Sequence, residues 1–175
     1  MRCLLDKVTA RHIMEGMLAV VEERIVTSAE FSALDLYQRA PHQDTQLFIL
    51  PHTETLLRRL EHLPRYNVLI RRFLAATTVA RPTRYFKRWA RRLREYGFTK
   101  EDADILALAT FGTTPAISAL GMHVVATFDQ PMMNQWEAQQ AAISRRLGYM
   151  QRNLPAPYRH ALLPQVQRPE DILGS

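Results

Sequence analysis

The sequence has one cysteine, Cys3, so no disulfide can form within the chain and no thiolate metal cluster can assemble from it. Cys3 lies inside the first apolar run and reads as a small core residue. Glycine is scarce, with six residues and no cluster, which excludes a glycine-rich phosphate loop. The six histidines (His12, His42, His52, His62, His123, His160) are scattered with no pair at helical metal spacing, which argues against zinc hydrolysis. A nucleophile elbow of the Ser-His-Asp enzymes is missing. No apolar run is long enough to cross a bilayer, and the stretch before Asp6 is too short for an export signal. The expectation is a cytoplasmic protein without a membrane partner.

What is present is ordinary globular composition with a basic bias. The 175 residues carry a formal charge of +6, which favours a polyanionic partner without specifying a fold. Length predicts one domain with a sizeable core.

Apolar runs and helical periodicities alternate along the chain. Arg2–Leu5 is a short strand. A helix follows, with Ile13, Met14, Met17, Leu18 and Val21 three and four apart and Thr9 as its expected N-cap. Ser28–Gln38 predicts a second helix capped by Ser28. Gln46–Leu50 reads as a buried strand, and a helix from Thr53 carries Glu54 until Pro64 ends it. Asn67–Ala75 predicts another helix, Thr77–Ala80 a third strand, and Pro82 opens a helix running to about Glu95 with Gly97 as its stop. Thr99–Phe111 carries a Ser/Thr-x-x-acid capping pattern. Met122–Ala126 is a strand, Pro131–Leu147 a final helix, and residues 151–175 a Pro-rich tail that packs on the domain or serves a partner. Strands alternating with helices imply an α/β fold around a mainly parallel sheet.

Four acids stand beside these elements. Asp6 closes the first strand, Glu54 follows the second, Asp102 opens the Thr99 helix, and Asp129 closes Val124–Phe128. Carboxylates that converge at strand ends repel unless a hard cation or a shared proton neutralises them. Taken singly, Asp102 and Glu54 also fit helix-start acids, and Asp6 and Asp129 also fit turn formers or caps. Asp104 competes with Asp102, and Asn134 is a polar neighbour after Asp129.

A second constellation is basic. Arg81, Arg84, Lys87, Arg88, Arg91, Arg92 and Arg94 are interleaved with Tyr85, Phe86 and Trp89, with Glu95 the one acid beside them. On a helix, Phe86, Trp89, Ala90 and Leu93 share the inner side and most cations the outer. Such a face suits an RNA backbone, with Arg84, Lys87, Arg88, Arg91 and Arg92 as the contacts; a merely solvated face is the alternative. Arg58-Arg59 and Arg71-Arg72 either extend the track or are ordinary surface.

The order of these motifs resembles the PIN domain family of metal-dependent ribonucleases. Cys3-Leu4-Leu5-Asp6 is similar to the family's first strand and aspartate. Leu47-Phe-Ile-Leu-Pro-His-Thr-Glu54-Thr-Leu-Leu57 looks like its second strand and helix. Asp102-Ala-Asp-Ile-Leu-Ala resembles its acidic helix start, and Thr127-Phe-Asp129 its threonine-x-aspartate strand end. The likeness covers about residues 1–147. It implies a three-layer α/β/α sandwich over residues 1–150 and endoribonuclease activity with Mg²⁺ or Mn²⁺. Asp6 and Asp102 would be direct ligands, Asp129 would bind directly or through water, Glu54 would hold a metal-bound water or accept its proton, and Thr127 would support Asp129. It also implies a toxin of a toxin–antitoxin pair, with an antitoxin partner and a homodimer. One departure stands out: Lys7 and Val8 occupy the places of the family's Thr/Ser and Asn. A lysine there would compete with the metal for Asp6, which gives the alternative reading of a catalytically impaired, PIN-like nucleic-acid-binding protein.

Overall fold

The computed structural model describes residues 1–116 and 121–172. The chain is α/β. Strands β1 (Arg2–Leu5), β2 (Gln46–Ile49), β3 (Thr77–Val79), β6 (Val124–Ala126) and β7 (Gln165–Gln167) form a five-stranded sheet in the order β3-β2-β1-β6-β7. β1 pairs parallel with β2, and β2 with β3. Helices flank this parallel sheet: α1 (Lys7–Val21), α2 (Ser28–Arg39), α3 (Pro51–Leu60), α4 (Pro64–Ala76), α5 (Phe86–Arg94), α6 (Lys100–Phe111), α7 (Gln130–Gln151) and α8 (Pro169–Ile172). The two-residue strands β4 (Arg81–Pro82) and β5 (Gly112–Thr113) make a separate antiparallel pair. The chain divides into two compact units: residues 1–79, 126–128 and 167–175, and residues 80–125 and 129–166.

In the first unit the core is built by β1 and β2, whose residues Cys3, Leu4, Leu5, Leu47, Phe48 and Ile49 are buried, together with Ile13, Leu36, Ile70 and Phe73 from the helices. Continuous apolar runs suit strands covered on both faces. Cys3 is fully buried, and loss of water pushes its thiol up to about 12, which makes it an inert core residue. The N-cap of α1 is Asp6, where the sequence pointed to Thr9: the Asp6 side chain accepts from Thr9 N, while the Thr9 hydroxyl is spent on Ala126 O at 3.0 Å. α2 starts from Thr27, one residue before the expected Ser28, because Thr27 and Glu30 complete a reciprocal capping box. Pro64 opens α4 at its first turn, where its missing N–H costs nothing. The segment 151–175 supplies β7 and α8, whose Pro169 and Ile172 are buried; residues 173–175 lie outside the described residues.

Glu22, at the end of α1, holds Arg65 of α4 in a two-pronged pair of 2.6 and 2.8 Å. The hydrogen bonds from Arg65 and then Arg24 pull the Glu22 carboxyl down from 4.5 to about 2. A carboxyl depressed by folding stabilises the native state above its unfolded pKa, and that contribution disappears as pH falls through its folded value. Between pH 4.5 and pH 2, the native protein is therefore expected to lose more stability than Glu22→Gln in low-salt urea titrations. The pair is solvent-exposed, so the difference should shrink at high salt.

The second unit is organised by α5 against α6. Trp89, Ala90 and Leu93 of α5 are buried, as are Ile105, Leu106 and Phe111 of α6. Gly97 ends the α5 segment with φ +88, a left-handed conformation that glycine adopts without strain, and a Cβ there would meet Gln135 Nε2 at 2.9 Å. Thr99 caps α6 as its sequence indicates. Pro82, however, does not open a helix. It pairs across from Gly112 in the β4–β5 ladder, where a residue without an N–H is tolerated, and α5 begins four residues later at Phe86.

Candidate functional site

The four candidate carboxylates all sit at the starts of helices. Asp6 is buried and both its oxygens are engaged: Oδ1 accepts from Thr9 N at 2.5 Å, and Oδ2 accepts from the Thr127 hydroxyl at 2.5 Å. Its own N–H donates to Ala126 O at 3.1 Å. Thr127, fully buried, is thus brought to Asp6 across 121 residues of sequence. Glu54, in the first turn of α3, accepts from Arg58 Nε at 3.0 Å. Asp102 Oδ2 accepts from the Thr99 hydroxyl at 2.7 Å, while its N–H donates to Thr99 Oγ1 at 3.1 Å. Asp129 is exposed and caps α7, accepting from Met132 N at 2.9 Å. Asp6 and Glu54 belong to the first unit, Asp102 and Asp129 to the second.

Helix-start work accounts for the Thr9, Thr99 and Met132 contacts, whereas Asp6 also reaches Thr127 across the fold and Glu54 pairs with Arg58 one turn on. Among the described residues, no group of three or more His, Cys, Asp or Glu side chains is disposed to hold a metal ion. Lys7 is exposed at the first turn of α1. It lines a cleft of about 380 Å³ whose walls are mainly apolar, including Leu56, Leu57 and Leu60. Asp104 is half-buried, and Asn134 is exposed with its Oδ1 accepting from Gln130.

No protein-family model matches the chain, and no curated protein matches it. The chemistry of the site therefore rests on its own side chains.

The basic constellation has a more definite form. Trp89, Ala90 and Leu93 bury one side of α5, which leaves Lys87, Arg88, Arg91 and Arg94 exposed on its outer side and Arg92 half-buried. Arg92 Nη1 donates to Glu95 at 2.8 Å. Arg84 precedes the helix with its guanidinium 4.6 Å from the Tyr85 ring centre and 5.8 Å from that of Tyr158. It also donates to the Tyr85 hydroxyl. These cation–π contacts hold the exposed guanidinium beside two tyrosine rings.

A further part of this surface lies at the end of α7, partly beyond the helix that the sequence predicts. α7 runs on to Gln151, past the expected end at Leu147, and carries Arg145, Arg146 and Tyr149 on its last turns, with Arg152 and Asn153 just beyond. Arg152 stacks on Tyr149 at 5.1 Å. The repeat Arg146, Tyr149, Met150, Asn153 at spacings of three, four and seven is the signal for it, since such positions share a helix face. By contrast, Arg58 and Arg71 of the other arginine clusters are tied to acids, Arg58 to Glu54 and both to Glu61. Among the described residues no helix is long and apolar enough to cross a membrane.

Proposed function

We propose that this chain is a PIN-like RNA-binding protein that follows a phosphate backbone with α5 and the last turns of α7. One observation carries the reading: Lys87, Arg88, Arg91 and Arg94 project from α5 with no ion-pair partner among the described residues. Cations that a fold leaves unneutralised side by side repel one another, and a polyanion relieves that repulsion while releasing its own counterions. Contacts of this kind give affinity without base preference.

The test is fluorescence anisotropy with a labelled single-stranded RNA across a salt series. Binding should weaken steeply with salt. Lys87→Ala with Arg91→Ala should lower the magnitude of the log–log slope by about 1.4, roughly 0.7 for each phosphate of a single strand that is no longer neutralised. An unchanged slope, or binding indifferent to salt, would remove the reading.

A second reading is the Mg²⁺- or Mn²⁺-dependent endoribonuclease that the sequence resemblance implies. It is favoured by a buried carboxylate, Asp6, at the carboxyl end of β1 with Thr127 hydrogen-bonded to it. The toxin role, an antitoxin partner, a homodimer and a cytoplasmic location belong to that reading. Calorimetry with Mn²⁺ on the native protein and on Lys7→Thr separates the two readings: heat of binding in the native protein favours the nuclease, and heat only in the variant favours the impaired module.

A further inference from the structure

Between α5 and the end of α7, within the second unit, lies a pocket of about 190 Å³ lined by Arg88, Arg92, Arg146, Tyr149, Met150 and Asn153. Arg88 and Arg92 are four apart on α5 and so share a face. Arg146, Tyr149 and Met150 form the matching face of the α7 end, and Asn153 follows just past it. Three arginines from two helices thus line one concavity. Arg88 and Arg146 have no acidic partner among the described residues, and Arg92 shares its charge with Glu95. The walls therefore hold a net charge near two positive units. Tyr149 lines the pocket while 62% exposed, with Arg152 on its ring.

From this geometry we infer that the pocket binds the terminal phosphate of a single-stranded RNA, while Tyr149 stacks the adjoining base. Size excludes a whole nucleotide inside, since pockets for small-molecule ligands are typically about 300 Å³ or more. Charge selects among phosphates. A monoester carries about −1.5 to −2 at neutral pH, against a single negative charge for an internal diester. Arginine forks match phosphate oxygens bidentately, and Asn153 adds a neutral donor. An exposed aromatic ring beside a basic groove is the usual platform for an unpaired base. This inference deepens the RNA-binding reading and rests on it: the outer face of α5 holds the strand, and the pocket holds its end.

The experiment compares one short RNA in three forms at fixed salt: 5′-phosphorylated, 3′-phosphorylated, and with both ends hydroxyl, each labelled at an internal position. One phosphorylated form should bind about tenfold more tightly than the hydroxyl form, the scale of a charge-assisted hydrogen-bond set. Which form wins assigns the end. Arg146→Ala should abolish the difference between the phosphorylated and hydroxyl forms, whereas Arg145→Ala, outside the pocket, should weaken all forms alike and keep that difference. Tyr149→Ala should weaken all three forms. Equal affinity for all three overturns the pocket and leaves the RNA-binding reading standing. If no RNA binds, calorimetry with a nucleoside 5′-monophosphate decides the pocket separately. Binding that Arg146→Ala removes keeps a phosphate pocket without RNA, and no binding overturns both.

Discussion

Asp6→Ala is expected to destabilise the protein by about 3 kcal/mol, from the lost N-cap bond to the buried Thr9 N–H together with the lost hydrogen bond from the buried Thr127 hydroxyl. Thr9 and Thr127 are both fully buried, and each sends a donor to an Asp6 oxygen at 2.5 Å. With alanine in place, the buried Thr9 N–H and the Thr127 hydroxyl both lose their bond to Asp6. Asp6→Asn should cost far less, about 1 kcal/mol, because asparagine caps as well as aspartate. Its amide nitrogen can donate to Thr127 Oγ1 if the hydroxyl turns. The pair therefore separates two jobs of one residue. Equilibrium urea unfolding should rank native, Asn and Ala in that order. If Asp6 is purely a cap, Asp6→Asn leaves RNA affinity and any response to Mn²⁺ untouched. If the second reading holds, the same stable variant loses Mn²⁺ binding, because removing one charge from a hard-cation site weakens it sharply. An alanine variant as stable as native would sink the capping account of Asp6.

The ambiguity of Asp6 is also a measure of what is legible in the sequence. An apolar run closed by an acid announces both a buried strand and something at its end. β1, β2 and the Thr99-capped α6 accordingly lie within a residue or so of their expected spans, since each carries its signal locally. An acid after a strand has the same local pattern whether it caps the next helix or holds an ion, and the two uses differ only in what lies across the fold. Thr127 illustrates this: the expectation is support for Asp129, two residues away, and its hydroxyl hydrogen bond goes to Asp6, 121 residues away. β7 escapes for a related reason. Gln165-Val-Gln167 has one apolar residue and lies at the sheet edge, so its identity rests on backbone bonds such as Thr127 N to Gln167 O at 3.0 Å. The basic surface is half legible. The α5 cations announce themselves by density, whereas Arg146 stands in the last turn of the predicted helix and Tyr149 lies past its expected end at Leu147.

Trp89→Ala is expected to cost about 4 kcal/mol, at the upper end of core truncations, and to abolish RNA binding with it. Trp89 has no exposed surface, stands edge-on to Phe111 with ring centres 6.2 Å apart, and donates its indole N–H to Thr110 Oγ1 at 3.2 Å. It is the largest side chain with which this short, arginine-laden helix holds its place. α5 has three buried residues, Trp89, Ala90 and Leu93, and a nine-residue helix is marginal without tertiary packing. Losing the indole therefore loosens the helix that carries Lys87, Arg88 and Arg91, although none of those side chains is touched. Trp89→Phe keeps most of the apolar packing and gives up the hydrogen bond. Thr110 is not stranded by that change, because its hydroxyl still donates to Leu106 O at 2.8 Å. The phenylalanine variant should consequently lose only about 1–2 kcal/mol and bind RNA as the native protein does. Circular dichroism with urea gives the stabilities, and anisotropy on the same samples gives the affinities. Should Trp89→Ala bind RNA with native affinity while folded stability falls, the phosphate track does not lie on α5 and the proposed interface is in the wrong place.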